Sequence, residues 1–299
     1  MSDPVSLVTA EAAIAVRDSA TLGEGSLWDA DRRVLYWVDI AARTLHTFDP
    51  ATGENTSVST TEQVTTVVPV TDNEVLAGME TCVARLNPTT GEVYERYPLE
   101  HDIPENRCND GKCDPQGRFW IGTMSTVKRS GTASVYRMNH DYTIERVFGG
   151  VTTSNGIVWN ADQTRMYYID TPTRRIDSFA YDAESGAVDQ RETLVEVPEE
   201  LGKPDGMSID SEGRLWVAMF YGACVTVWDS QTGAFLEKID VPAKNVTSVA
   251  FGGDTMNTLY VTTATVGMSD ADSERYPDAG CLFSFETTVT GTAPHRFGA

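Results

Sequence analysis

Along this chain, apolar residues come in short bursts separated by polar turns. The segments "RVLYWVD", "EVLAGM", "RFWIGT", "RMYYID", "RLWVAM" and "TLYVTT" are each rich in β-branched or aromatic residues, the composition of strands. No segment sustains an apolar stripe at the helical period of about 3.6 residues. The second apolar residue of each burst, the third in the first burst, gives the series Tyr36, Leu76, Trp120, Tyr167, Trp216 and Tyr260, with intervals of 40, 44, 47, 49 and 44 residues. A repeat of that length is the length of a propeller blade.

A turn signal precedes each of these anchors: "DADR", "TDN", "DPQG", "NADQ", "DSEG" and "GDTMN". A second follows most of them, in "DPATGE", "NPTTGE", "DAESGA" and "DSQTGA", where Asp or Asn opens the turn and Gly takes a positive φ. Two hairpin turns per repeat imply four strands per repeat. The predicted fold is all-β: a six-bladed β-propeller, four antiparallel strands per blade, around a central channel. Residues 1–299 are expected to form one such domain, with short flexible ends over about 1–10 and 290–299. The early strand "AIAVRD" is expected to complete the last blade, which ends near "CLFSFET".

Composition narrows the function classes. The chain has a formal net charge of −21 and no basic stripe, so phosphate backbones and anionic lipid heads would be repelled, and neither nucleic acid nor a membrane is an expected partner. The opening "MSDPVSLVTAEAAIAVRD" has neither the basic start and apolar core of a secretory signal nor the length of a spanning helix, and a cytoplasmic location is expected. Five cysteines without a CxxC pair argue against a disulfide framework and a thiolate zinc site. Nothing in the sequence sets an oligomeric state, and a monomer is the default expectation.

The repeat has a phase as well as a period. Eleven or twelve positions before the anchors lie Glu24, Thr65, Asn109, Asn155, Asp205 and Ser248. Equivalent positions in a radial repeat occupy equivalent places in space, so these six side chains should ring one mouth of the channel. Glycines accompany four of them, in "GEG", "NDG", "SNG" and "PDG", and allow close approach to the axis. Glu24 and Asp205 converging there would repel each other unless a cation or a proton intervened. With Asn155 as a third oxygen donor, the set suits one hard divalent ion better than a structural zinc. Taken singly, such Asx-Gly pairs are ordinary turn formers; four in phase are more than that.

The stretches "LGEGSLWDADRRVLYWVDI", "NRCNDGKCDPQGRFWIGTM", "SNGIVWNADQTRMYYID" and "KPDGMSIDSEGRLWVA" resemble the regucalcin, gluconolactonase and luciferin-regenerating enzyme-like family of sugar lactone hydrolases, including the bacterial xylono- and arabinonolactonases. The resemblance covers about residues 20–285 and implies a six-bladed propeller. It implies that Glu24, Asn155 and Asp205 bind one divalent metal, the ion being calcium, zinc, manganese, magnesium or iron(II), and that Arg107 and Asn109 contact substrate. After "GTM" the chain reads "STVKRSG", where some family members place acids, so the loop that reads the sugar differs here.

The expected function is therefore metal-dependent hydrolysis of a small-molecule sugar lactone, a pentonolactone or hexonolactone such as xylono-, arabinono- or gluconolactone, with Asp205 as the catalytic base. Two alternatives are a non-catalytic, regucalcin-like calcium-binding protein and a phosphotriesterase-type hydrolase on the same propeller. A serine-hydrolase plan lacks its GxSxG elbow, and His46, His101, His140 and His295 fall off the ring positions. Cys108, between Arg107 and Asn109, is turned away from them by strand alternation.

Overall fold

The computed structural model describes residues 6–298. Residues 1–5 and 299, parts of the ends expected to be flexible, lie outside the described residues. Among the described residues, six four-stranded antiparallel sheets follow one another along the chain. The first strand of each sheet is Gly23–Asp29, Val64–Thr71, Asn106–Cys113, Ser154–Trp159, Lys203–Ile209 and Asn245–Gly252 in turn. These six strands pack against one another in a closed ring and wall the channel. The predicted propeller is the fold found. Its sixth blade is completed by Ala13–Val16, antiparallel to Leu282–Glu286, with Ala13 opposite Ser284 and Val16 opposite Leu282, so the two ends of the chain close the ring.

The anchors read from the sequence all lie in the second strand of a blade and all are buried. They belong to six hydrophobic clusters, one between each neighbouring pair of blades. Burial of apolar area between sheets is therefore what holds blade to blade. Two of the turns add a polar brace. In "DPQGRFW", the buried Asp114 accepts from Arg118 Nε (2.7 Å) and Trp120 Nε1 (2.9 Å) through Oδ2. In "DSEGRLW", Asp210 does the same with Arg214 Nε (2.6 Å) and Trp216 Nε1 (2.9 Å). Each carboxylate ties a turn to the core tryptophan of its own blade.

The inner strands share one irregularity. Each slips register by one residue against its neighbour, between Glu24 and Leu27, Val64 and Thr66, Cys108 and Gly111, Ser154 and Ile157, Pro204 and Met207, and Val246 and Ser248. A bulge adds a residue on one strand and re-aims the side chains beside it. Six bulges at one phase turn six polar residues to the same level. Small residues let the strands come close enough for this. A Cβ at Gly156 would sit 2.6 Å from Met207 Cβ and 2.9 Å from Asp205 O, and one at Gly206 would sit 2.8 Å from Ser248 Cα.

Beyond blade 6 the chain crosses the far end of the channel. Gly291 N donates to Met256 O (2.7 Å), Thr292 N to Ile209 O (3.2 Å), Phe297 N to Pro69 O (2.9 Å) and Gly298 N to Gly117 O (2.9 Å), partners that lie in or beside blades 6, 5, 2 and 3. Phe297 is 5% exposed. Residues 290–298, which composition alone leaves as a tail, thus strap the base of the ring and leave one open mouth.

Gly156→Ala should lower the unfolding free energy by about 1–3 kcal/mol, the usual cost of overpacking, because backbone of the adjacent inner strand has to move. Urea unfolding would measure it; an unchanged midpoint would show that the strands have slack at this level.

Candidate active site

The bulges bring the five residues singled out in the sequence into one place. Glu24, Arg107, Asn109, Asn155 and Asp205 all line a single cavity of about 670 Å³ at the open mouth. The other two ring members are not part of it. Thr65 Oγ1 donates to Gly78 O (3.2 Å), and Ser248 Oγ bonds Ser26 Oγ (2.8 Å) and Thr262 Oγ1 (2.6 Å); both serve to lock strands together. None of the four histidines lines the cavity. His46 stacks on Trp37 with ring centroids 3.8 Å apart. Cys108 is buried with its thiol facing Cys82 O (3.6 Å), and burial pushes its pKa up, so it is turned away as strand alternation requires.

A short hydrogen-bonded chain sets the orientation of the amides. Asn109 Nδ2 donates to Ser154 O (2.6 Å) and Asn155 Oδ1 (2.9 Å), while Asn109 Oδ1 accepts from Arg107 Nη1 (2.8 Å). Asn155 Nδ2 donates to Thr171 Oγ1 (2.7 Å), whose own hydroxyl donates to Pro204 O (2.8 Å). The amide of Asn155 is thereby fixed at both ends, with a second lone pair on Oδ1 free. Arg107 also donates Nη1 to Cys108 O (2.7 Å), and its remaining donors have no partner among the described residues.

Asp205 is 6% exposed, and its Oδ1 is buried with no hydrogen-bond partner among the described residues. An orphaned carboxylate oxygen of this kind is costly to keep. Burial holds its pKa far above the ordinary carboxylate range, and the charges of Glu24 and Asp110 raise it further, against the pull of Arg107. Glu24 behaves alike: burial first and the charge of Asp110 second push it from 4.5 to about 8, while the Gly25 amide (3.0 Å to Oε2) and Arg107 oppose the rise. Two acids that each prefer a proton to their own charge make a place that a cation would stabilise.

Three contributors were missed in the sequence. Asp110 and Lys112 belong to a tier below the ring. The bulge between Cys108 and Gly111 breaks the two-residue alternation that would have sent Asp110 outward. Lys112 Nζ donates to Met207 O, from blade 3 to blade 5, and therefore spans the channel. Burial pushes the Asp110 pKa up and the Lys112 pKa down, and each charge favours ionisation of the other. Thr171 comes from the loop after a second strand, outside the ring phase, and no spacing signal marks it.

The donor set fits a hard divalent ion. It consists of oxygen atoms from Glu24, Asp205 and Asn155, one of them orphaned, without a thiolate or imidazole. Among the described residues no group of three or more His, Cys, Asp or Glu side chains is placed to hold a metal, so the amide is needed as the third donor.

A closed six-bladed propeller with two acids and an oriented amide at its one open mouth defines a class of channel-site propellers. The chain belongs to the family described as the SMP-30/Gluconolactonase/LRE-like region, which matches residues 22–265. It is 40% identical over 279 residues to the Bacillus subtilis protein named "Putative sugar lactone lactonase YvrE", covering 93% of this chain and 95% of that one. It is 38% identical over 289 residues to the pentonolactonase XacC of Haloferax volcanii, covering 94% and 96%. Among solved structures, a calcium-binding regucalcin from Agrobacterium tumefaciens shares the fold with a TM-score of 0.92 at 27% identity, over 97% of this chain and 98% of that one. No helix of the described residues is long and apolar enough to cross a membrane.

The raised acid pKa values set a pH dependence. Folded, metal-stripped protein holds protons on Glu24 and Asp205 that the unfolded chain has already released, so its stability should fall as pH rises from about 4.5 to about 8, the span of the Glu24 shift. A divalent ion should therefore raise Tm more at pH 8 than at pH 5. Scanning calorimetry of stripped and reloaded protein checks this; a pH profile that is the same in Glu24→Gln and in Asp205→Asn would remove these carboxyls as its cause.

Proposed function

We propose that this protein hydrolyses a sugar lactone to its aldonic acid with one divalent ion held by Glu24, Asn155 and Asp205. The observation that carries the reading is the buried, unpartnered Asp205 oxygen in a cavity that also presents free guanidinium donors. The named lactonases among the relatives support it. When bound, the ion supplies a Lewis acid for the lactone carbonyl oxygen. The donor set leaves calcium, magnesium, manganese, zinc and iron(II) all admissible.

The remaining work falls to the chain's own groups. Arg107 offers its unused donors to the ring oxygen or hydroxyls of the sugar. Asn109 spends both amide protons on blade 4 and keeps one lone pair for a hydroxyl, so its larger role is to hold Asn155 and Arg107 in place. Ile40, Phe220, Tyr221 and Val266 give the cavity apolar walls, which suit the carbon face of a sugar and thin out bulk water. Ionised when a cation offsets its burial, Asp205 takes a proton from the attacking water as the water oxygen bonds to the carbonyl carbon. That proton then passes to the ring oxygen as the carbon–oxygen bond of the ring breaks, leaving an acid and an alcohol.

One observation favours the binding-protein alternative, namely the calcium-binding description of the Agrobacterium neighbour. A cavity of about 670 Å³ beside the acids favours the enzyme, because a stabilising ion needs no such room. The buried free cysteines Cys82, Cys108, Cys113, Cys224 and Cys281 support a reducing, cytoplasmic setting.

Metal-stripped protein given single divalent ions should regain hydrolysis of at least one of D-xylono-, L-arabinono- and D-glucono-lactone over a phosphotriester, followed by acid release. Asp205→Asn should keep the fold and lose about 10²–10⁴-fold in kcat, the range for a positioned general base. Turnover of the phosphotriester alone, or a fully active Asp205→Asn, would sink the assignment.

A further inference from the structure

The acidic residues lining the cavity are Glu24 and Asp205, and the basic ones are Arg107, Lys128 and Lys203. Bases outnumber acids there, in a chain of net charge −21. The placement of lysine sharpens the contrast, because the chain contains only five: Lys112, Lys128, Lys203, Lys238 and Lys244. Lys238 and Lys244 are held by Asp240 (2.5 Å) and Asp272 (2.7 Å). Lys112 is committed across the channel. Lys128 and Lys203 stand exposed at the open lip with no ion-pair partner among the described residues.

Both are presented by defined structure. Lys128 tops a turn closed by its own amide on Ser125 O (3.1 Å). Lys203 opens the inner strand of blade 5, and its Nζ lies 5.9 Å from the ring centroid of Tyr221, another lining residue. A neutral sugar would leave both ammonium groups with nothing to neutralise. The field of an acidic protein repels anions over most of its surface, while a cleft lined with the opposite sign concentrates them. Ammonium groups on flexible stems suit compact anions.

We propose that the lactone taken by this site carries an anionic group, a phosphate ester or a carboxylate, at the end away from its carbonyl, and that Lys128 and Lys203 receive it. This rests on the reading of the cavity as a lactone hydrolase. The buried acids and Arg107 work at the ring, and the two lysines select what is attached to it.

The test compares three lactones on the holoenzyme: D-glucono-lactone, its 6-phosphate ester, and D-glucaro-lactone, which ends in a carboxylate. The ratio of kcat/KM for an anionic lactone over the neutral one is expected to exceed about tenfold and to shrink as sodium chloride rises, as exposed charge interactions are screened. The arm showing the larger ratio identifies the anion. Lys128→Ala and Lys203→Ala should each cut that ratio about fivefold, the upper range for one exposed ion pair, and Lys→Arg should hold it. Preference for the neutral lactone, or equal losses on all three lactones, overturns the proposal while leaving lactone hydrolysis intact. Absence of turnover on all three and on the neutral pentonolactones overturns the hydrolase reading and the proposal with it.

Discussion

The structure depends on how close six strands can come to one axis. The bore is narrow enough for Lys112 to reach a carbonyl two blades away, and at this width every polar residue on a bulge faces others. Among the described residues the blades are six separate sheets, with few backbone contacts where they meet, such as Cys108 N to Glu80 O (3.0 Å). Their inner strands are joined by side chains on backbone, as in Thr66 to Gly111 O, Ser208 to Val249 O and Thr247 to Gly23 O, and Thr171 reaches Pro204 O from the loop after a second strand. Small hydroxylated residues do this because they span a short gap without filling it. The glycines keep that gap short.

Tight geometry then dictates the electrostatics. Glu24, Asp110 and Asp205 are brought together with little water, and Arg107 and Lys112 only partly offset them. The cost is borne by the six apolar clusters between blades, which do not depend on the channel for their packing. Such a division lets the site be unfavourable without loosening the ring. Unfavourable charge is what gives a site affinity for a cation and a proton-hungry carboxylate, so the propeller supplies the rigidity and the channel supplies the chemistry.

The fold was legible because each blade repeats one pattern strictly: the anchors from Tyr36 to Tyr260 are core residues in equivalent strands. Glu24, Asn155 and Asp205 were legible for the same reason, since phase survives a bulge that occurs in every blade. Asp110 and Lys112 were hidden by that bulge, because strict alternation misplaces whatever follows an extra residue. Thr171 acts from one blade on the next, a relation that belongs to three dimensions and leaves no spacing in the chain. The strap over residues 290–298 carries no repeat, and its polar composition conceals the one aromatic, Phe297, that fastens it.

The joining of chain ends in blade 6 has a bearing on how the molecule comes into being. Ala13–Val16 is made well before its partner Leu282–Glu286. The intervening blades are built from local hairpins and form as they emerge, while the first strand waits for a neighbour that does not yet exist. Until then the nascent chain is an open arc. Glu24 lies at one end of that arc and Asp205 toward the other, so the repulsion between them is deferred until the ring shuts. The site is thus complete only in the closed ring, where blade 1 with Glu24 and blade 5 with Asp205 face one channel.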